Sequence, residues 1–179
     1  MALDPTGVTL ANLIIANMAL VPQGSPPSAY HTIWNSTVKA YLTTAQLTFA
    51  WVGALPSPPF TVDPITTFVG SLTYPAFAPL PIPTTSDPTT ALSSFTGTLT
   101  TNLQGAVFIP NPSWTLSPMT FASFAIPLSL SPNPSLNTHV SAITNLCNKI
   151  LTTFISGVGV PGAGSHGTFV GTATLTLIS

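Results

Sequence analysis

Every acidic residue in this chain stands directly before a proline: Asp4 in "ALDPTGVTL", Asp63 in "FTVDPITTF" and Asp87 in "TTSDPTTAL". An aspartate at that position can accept hydrogen bonds from the orphan N–H groups of a first helical turn. The proline that follows has no donor to satisfy and a φ already suited to a helix, and the negative charge complements the positive end of the helix dipole. Apolar residues spaced by three and four follow each pair: Leu10, Leu13, Ile14, Met18 and Val21; Ile65, Phe68, Val69 and Leu72; Leu92, Phe95, Leu99, Leu103 and Ala106. Two uncharged starts obey the same grammar. Ser25-Pro26 precedes Tyr30, Trp34, Val38, Tyr41, Ala45, Phe49 and Val52, and Asn133-Pro134 precedes Leu136, Val140, Ile143, Cys147, Ile150 and Phe154. Gly157 and Pro161 close that last run. Asp4, Ser25, Asp63, Asp87 and Asn133 are therefore expected to be helix N-caps. The alternative at each acid is an Asp-Pro type I turn. Both readings tie the carboxylates to backbone, and neither makes a catalytic pair.

The expected fold is α+β and mostly α: four or five short helices with proline-rich connectors and a small β element. Thr-rich helices are marginal alone, so packing of the apolar stripes must supply their stability. The connectors "GALPSPPFTVDP", "YPAFAPLPIPTTSDP" and "IPNPSWTLSPMTF" read as stiff exposed arms. "TFASFAIPLSLS" (120–131) reads as an edge strand interrupted by Pro127. At the C-terminus Phe169, Ala173, Leu175 and Leu177 alternate with Val and Thr, the period of a strand with one apolar face. That face is the candidate interface, pairing either with 120–131 or with a sheet of another subunit. No repeat of fixed period is evident. The whole of 1–179 reads as one domain, helical over 5–157, with a Gly-rich linker at 157–167 and a C-terminal strand at 168–178.

Charge narrows function further. Charged residues make up 3% of the chain, where about 25% is usual, and the mean hydropathy of +0.52 reflects that absence. Lys39 and Lys149 are the only Lys or Arg residues, too few to displace counterions from nucleic acid or to hold an anionic membrane. "VTLANLIIANMALV" (8–21) is too short to span a bilayer and lacks the basic flank of a signal peptide. "GVGVPG" (157–162) has the glycines of a dinucleotide fingerprint without its strand, helix or acid. His31, His139 and His166 are scattered without metal-ligand spacing. Cys147 has no disulfide partner and sits in an apolar run. "GAGSHG" is no nucleophile elbow, and glycosidase chemistry has no pair of carboxylates to use. The expectation is a protein that is not an enzyme and needs no cofactor, metal or small-molecule substrate. "NST" at 35–37 is read as a chance sequon inside a helix.

A nearly ion-free exterior suits a protein whose surface is covered by neighbours, because desolvating an unpaired ion costs several kcal/mol. The expected partners are copies of the chain itself and other structural subunits. The composition, Met1, the missing export signal, the proline arms and the tail "GTFVGTATLTLIS" resemble the small neutral structural proteins of tailed-phage virions, of the neck, tail or baseplate type. That resemblance implies a virion location and a mechanical role, and no site residues. Two other classes fit the same composition. One is an extracellular or surface structural and adhesion module. The other is a small hydrolase or apolar-ligand-binding protein with a pocket lined by Trp34, Trp51 and Trp114.

Overall fold

A computed structural model describes residues 3–81, 88–123, 125–126 and 136–179 of the protein. Four of the five expected helices are present: α1 (Val8–Ala19), α2 (Pro27–Leu42), α3 (Pro88–Gln104) and α4 (Leu136–Ile155). Each carries a buried stripe at helical spacing, such as Cys147, Ile150, Leu151 and Phe154 on α4. The remainder departs from a mostly helical fold. Seven strands, β1 (Leu47–Ala54), β2 (Thr67–Thr73), β3 (Val107–Pro110), β4 (Trp114–Leu116), β5 (Met119–Thr120), β6 (Gly162–His166) and β7 (Phe169–Ile178), form a single antiparallel sheet.

That sheet corrects the expected fold class, because it organises the molecule instead of decorating a helical bundle. Its order is β4-β6-β7-β1-β2-β3-β5. The run 114–122, which contains β4 and β5, lies antiparallel to 158–166 throughout. Trp114 faces His166 and Leu116 faces Gly164, while Phe121 bridges Gly159. Between and beyond them Ser117 N–H donates to Ala163 O, Val160 N–H to Thr120 O and Ala122 N–H to Val158 O. Since β5 also pairs with β3, these bonds join the two ends of the strand order. The sheet rolls into an all but closed barrel with almost no free edge.

The connectivity repeats. A helix leads directly into a hairpin three times: α2 into β1–β2, α3 into β3 and the 114–122 run, and α4 into β6–β7. The units differ in length and in loop size, which hides the repeat from a search for a fixed period. Because neighbours are antiparallel, all three helix-to-strand joints fall at one end of the barrel and all three hairpin turns at the other. Outward-facing residues of the strands, Val52, Val69 and Val170 among them, are exposed. The helices therefore stack over the joint end and leave the wall uncovered. α1 packs on α2 and α4.

The expected helix at 64–72 is strand β2. Phe68 and Leu72 are buried on the same side of it, with Gly70 between them. A spacing of four belongs to both periods, so those two residues fit either element. Likewise the helix that starts at Pro27 ends at Leu42, and Leu47, Phe49 and Trp51 then alternate inward along β1. The Gly-rich 157–167 contains β6 instead of a linker. Gly53, Gly171 and Gly164 face one another across β1, β7 and β6. A Cβ on Gly53 would lie 2.6 Å from the indole of Trp51, and one on Gly171 only 2.0 Å from Val52 O. These glycines let the strands close tightly around a tryptophan.

Aromatic rings fill the barrel. Trp114 stacks on Phe68 at 4.4 Å and Phe68 on Phe49 at 5.0 Å. Phe108 then leans on Phe49 and meets Phe121 edge-on, and Phe121 contacts Phe154 of α4. This continuous column links the turn end to the helices.

Candidate functional site

Two places at opposite ends of the molecule, and the wall between them, gather its chemistry. At the turn end the first hairpin supplies Asp63, the second Trp114 and the third His166. Asp63 is not a helix cap. Its Oδ1 accepts the N–H of Ile65 at 2.9 Å, and its Oδ2 accepts the indole N–H of Trp51 at 2.8 Å. His166 Nδ1 lies 2.7 Å from the same Oδ2, and the imidazole stacks on Trp114 at 4.1 Å and 13°. The carboxylate is buried. Burial pushes its pKa upward, but the bonds from Ile65, His166 and Trp51 outweigh that and hold it below the ordinary value.

An Asp–His pair of this kind orients an imidazole in hydrolases, yet a hydrolase also needs a nucleophile on the other ring nitrogen. Among the described residues no hydroxyl bonds to that nitrogen. What the cluster does mechanically is plain from its partners. It fixes the long β1–β2 loop (residues 55–66) to β1 and to the third hairpin. Backbone bonds from Leu55 N–H to Thr61 O and from Asp63 N–H to Gly53 O reinforce it. Beyond these anchors the loop tip, residues 56–62, is exposed, with Phe60 at 70% and Val62 at 69%.

At the helical end, the N-terminal halves of α2 and α4, with α1 and α3, surround an apolar groove of about 350 Å³. Met18, Tyr30, Trp34, Phe95, Ile143 and Leu146 line it. Trp34 and Phe95 rings meet at 6.2 Å. No Lys, Arg, Asp or Glu lines the groove.

The wall has no charge at all. None of the seven strands contains Lys, Arg, Asp or Glu. Val52, Val69, Ile109, Val158, Val160, Val170 and Leu177 are exposed along it, separated mainly by threonines. Val69 and Leu177 flank Thr48 across three adjacent strands. The described charged residues other than Asp63 lie on or beside helices: Asp4 ahead of α1, Lys39 on α2 and Lys149 on α4.

Of the other expected caps, Asp4 acts from further upstream. Gly7, with φ of 78°, occupies the N-cap position of α1. Asp4 Oδ2 accepts from the N–H of Thr9 at 3.1 Å, and Oδ1 from that of Thr6 at 2.9 Å. Hydrogen bonds from the hydroxyls and N–H groups of Thr6 and Thr9 hold its carboxyl well below the usual range. Ser25 is displaced by Pro26, which is the N-cap of α2 without any side-chain bond. Asp87 and Asn133 lie outside the described residues, as does the side chain of His139.

The expected apolar face of the last strand is turned mostly into its own barrel. Ala173 is fully buried and Leu175 packs on the core, while Phe169 is half-buried. A bulge where Thr48 and Phe49 face Leu177 and Leu175 flips Leu177 outward and puts Ile178 inside. β7 pairs with β1 along its length and with β6 over Phe169–Ala173, and no described residue of 120–131 pairs with it. The three tryptophans line no common pocket: Trp51 and Trp114 sit at the turn end and Trp34 in the groove. Cys147 is buried, which pushes its thiol up to about 12. His31 lies at the groove. Among the described residues no helix is long and apolar enough to cross a membrane, and no three His, Cys, Asp or Glu side chains gather as metal ligands would.

Sequence reasoning missed His166 as the partner of Asp63, 103 residues away; no local signal announces that pairing. The chain matches no protein-family model, no curated protein and no solved structure.

Proposed function

We propose that this protein is a non-enzymatic structural subunit of a permanent oligomeric assembly, and that the assembly is a virion component of the tailed-phage neck, tail or baseplate type. The observation that carries the assembly reading is the barrel wall, ion-free and studded with exposed valines. A free monomer normally keeps about 25–35% charge on its surface for solubility, and this wall keeps none. Buried against a neighbour, it leaves no ion to desolvate, and its threonines can hydrogen-bond across the contact. The barrel has almost no strand edge to offer, so contacts are made by side chains of the wall. The virion location rests on the compositional resemblance alone.

Sedimentation velocity of the intact chain over a wide concentration range tests this. The expected result is association that is scarcely weaker at about 0.5 M salt than at about 0.05 M, because no ion pairs are screened. The double variant Val52→Glu/Val170→Glu, which touches only outward positions, should keep the wild-type circular dichroism and lose the large species. A wild-type chain that stays monomeric at every concentration contradicts the proposal.

A further inference from the structure

We propose that the Asp63–His166 pair is a pH-responsive latch on the β1–β2 loop: a proton on the imidazole tightens it, and a proton on the carboxyl opens it. The latch operates in a lone copy as well as in an assembly.

The fold buries an anion beside a single ionisable neighbour. The Asp63 side chain is 1% exposed, and its oxygens accept from the N–H of Ile65, the indole N–H of Trp51 and His166 Nδ1. The loop brings Asp63 and Ile65 to this cluster, β1 brings Trp51, β4 brings Trp114 and β6 brings His166. Asp63 and His166 are the titratable side chains among these. Asp4, Lys39 and Lys149, the other described charged residues, lie on or beside helices. An ionised carboxylate only accepts hydrogen bonds, so Nδ1 carries the hydrogen of the neutral ring and an incoming proton goes to Nε2. The His166 side chain is 20% exposed, so solvent reaches the ring while the carboxylate stays buried.

The two protons act in opposite directions. With the ring neutral, its N–H bonds to a carboxylate that has no ion opposite it. Protonation at Nε2 puts a positive charge on the ring whose Nδ1 lies 2.7 Å from Oδ2, and a hydrogen bond between two ions is the stronger kind. The face of Trp114, stacked on the ring at 4.1 Å and 13°, also attracts a cation. A proton on the carboxyl does the reverse. Three N–H groups already point at its two oxygens, so an added O–H meets donors where it needs an acceptor. Burial opposes ionisation, yet the bonds from Ile65, His166 and Trp51 hold the carboxyl below its ordinary range. Mild acid therefore forms the ion pair, and only stronger acid breaks it. What the latch holds is the base of the loop, where Leu55 N–H bonds to Thr61 O and Asp63 N–H to Gly53 O, with Ile65 N–H on the carboxylate itself.

Amide hydrogen exchange of the intact chain, followed by nuclear magnetic resonance and corrected for the intrinsic exchange rate at each pH, tests this. From about pH 8 to about pH 5, where an imidazole changes charge, protection of the Asp63 and Ile65 amides should rise about three- to tenfold while that of the β7 amides stays level. As the carboxyl takes its proton below its ordinary 3.8, protection of the two loop amides should fall ahead of that of β7. His166→Gln keeps a side-chain N–H for the carboxylate but cannot change charge, so it should abolish the rise and keep the fall. Nitrogen shifts of the wild-type His166 ring should show Nδ1 protonated throughout and Nε2 gaining its proton over the same range as the rise. A flat wild-type profile over that range overturns the latch, as does a rise that survives in His166→Gln. If that variant fails to fold, ring shifts in which Nδ1 is the nitrogen that gains the proton overturn it instead.

Discussion

Phe68 separates the barrel from the helical reading of its segment by a measurable energy. In β2 it faces inward, almost fully buried, between Trp114 at 4.4 Å and Phe49 at 5.0 Å. Its chain neighbour Val69 faces out and is half-exposed. Phe→Ala in a packed core costs about 3–5 kcal/mol, and the two stacked pairs place Phe68→Ala toward the upper part of that span. Phe68→Leu keeps most of the volume and forfeits the stacks, at about 0.5–1.5 kcal/mol each, so it should cost about 1–3 kcal/mol. Val69→Ala should stay within about 0.5 kcal/mol. Each kcal/mol shifts Tm by about 2–4 °C in a chain of this size, so Phe68→Ala should melt about 8–16 °C lower. Urea unfolding followed by far-ultraviolet circular dichroism reads the differences with a constant m-value; tryptophan fluorescence is a poorer probe because Trp114 is itself the neighbour disturbed. A helix over 64–72 would place Phe68 and Val69 on one buried face. Equal costs for Phe68→Ala and Val69→Ala would refute the inward column and the strand register together.

Other expectations follow from the glycine row and the acidic cluster. Gly171→Ala puts a Cβ 2.0 Å from Val52 O, a backbone atom that can yield only by opening the β1–β7 pairing, so about 3 kcal/mol should be lost. Gly97→Ala in α3 meets nothing within 4 Å and should gain about 0.5–1 kcal/mol; melting curves that move the two variants in the same direction would contradict the packing. The folded carboxyl of Asp63 titrates below its ordinary 3.8. Its contribution is complete above that value and disappears as pH falls through the lower folded value. Asp63→Asn should therefore flatten the acid limb of stability below about pH 5 relative to wild type, with part of the slope surviving through Asp4. An unchanged acid limb would show that the cluster does not hold the loop.

Four helices were legible in the sequence for a physical reason. In α1, α2, α3 and α4 an apolar stripe with spacings of three and four persists for several turns, and only a helix puts such a set on one side, although in the sequence the stripe of α2 runs on past Leu42 into β1. Phe68 and Leu72 were not decisive, because a step of four fits a strand as well, and Asp63-Pro64 biased the choice toward a cap. Besides the N–H of Ile65, the groups that bond Asp63 lie 12 and 103 residues away, a distance over which local pattern says nothing. Leu177 was misassigned to the inner face because one bulge inverts alternation from that point on. Gly162 and Gly164 looked like a flexible linker because glycine weakens an isolated strand. In the barrel they are required, since Gly164 faces Thr115 O at a distance where no side chain fits. The wall was anticipated in kind, through the missing charge, but its location needed the sheet.

The repeated helix–hairpin unit gives these features a common logic. Three similar units around one axis make a body whose wall is uncharged in every direction, with exposed valines on the first and third units and Ile109 on the second. Symmetry of that sort cannot by itself distinguish one direction around the axis from another. The first hairpin breaks it, by spending 12 residues where the third uses two and by carrying Phe60 at its tip. Asp63, placed at the base of that loop, locks the asymmetric element to the symmetric body through His166 and Trp51. Asp63, the single acid inside the barrel among the described residues, is thus located where a long loop most needs to be made stiff. The remaining described charges stay near the helices, where they leave the wall free of ions that a neighbour would have to strip of water.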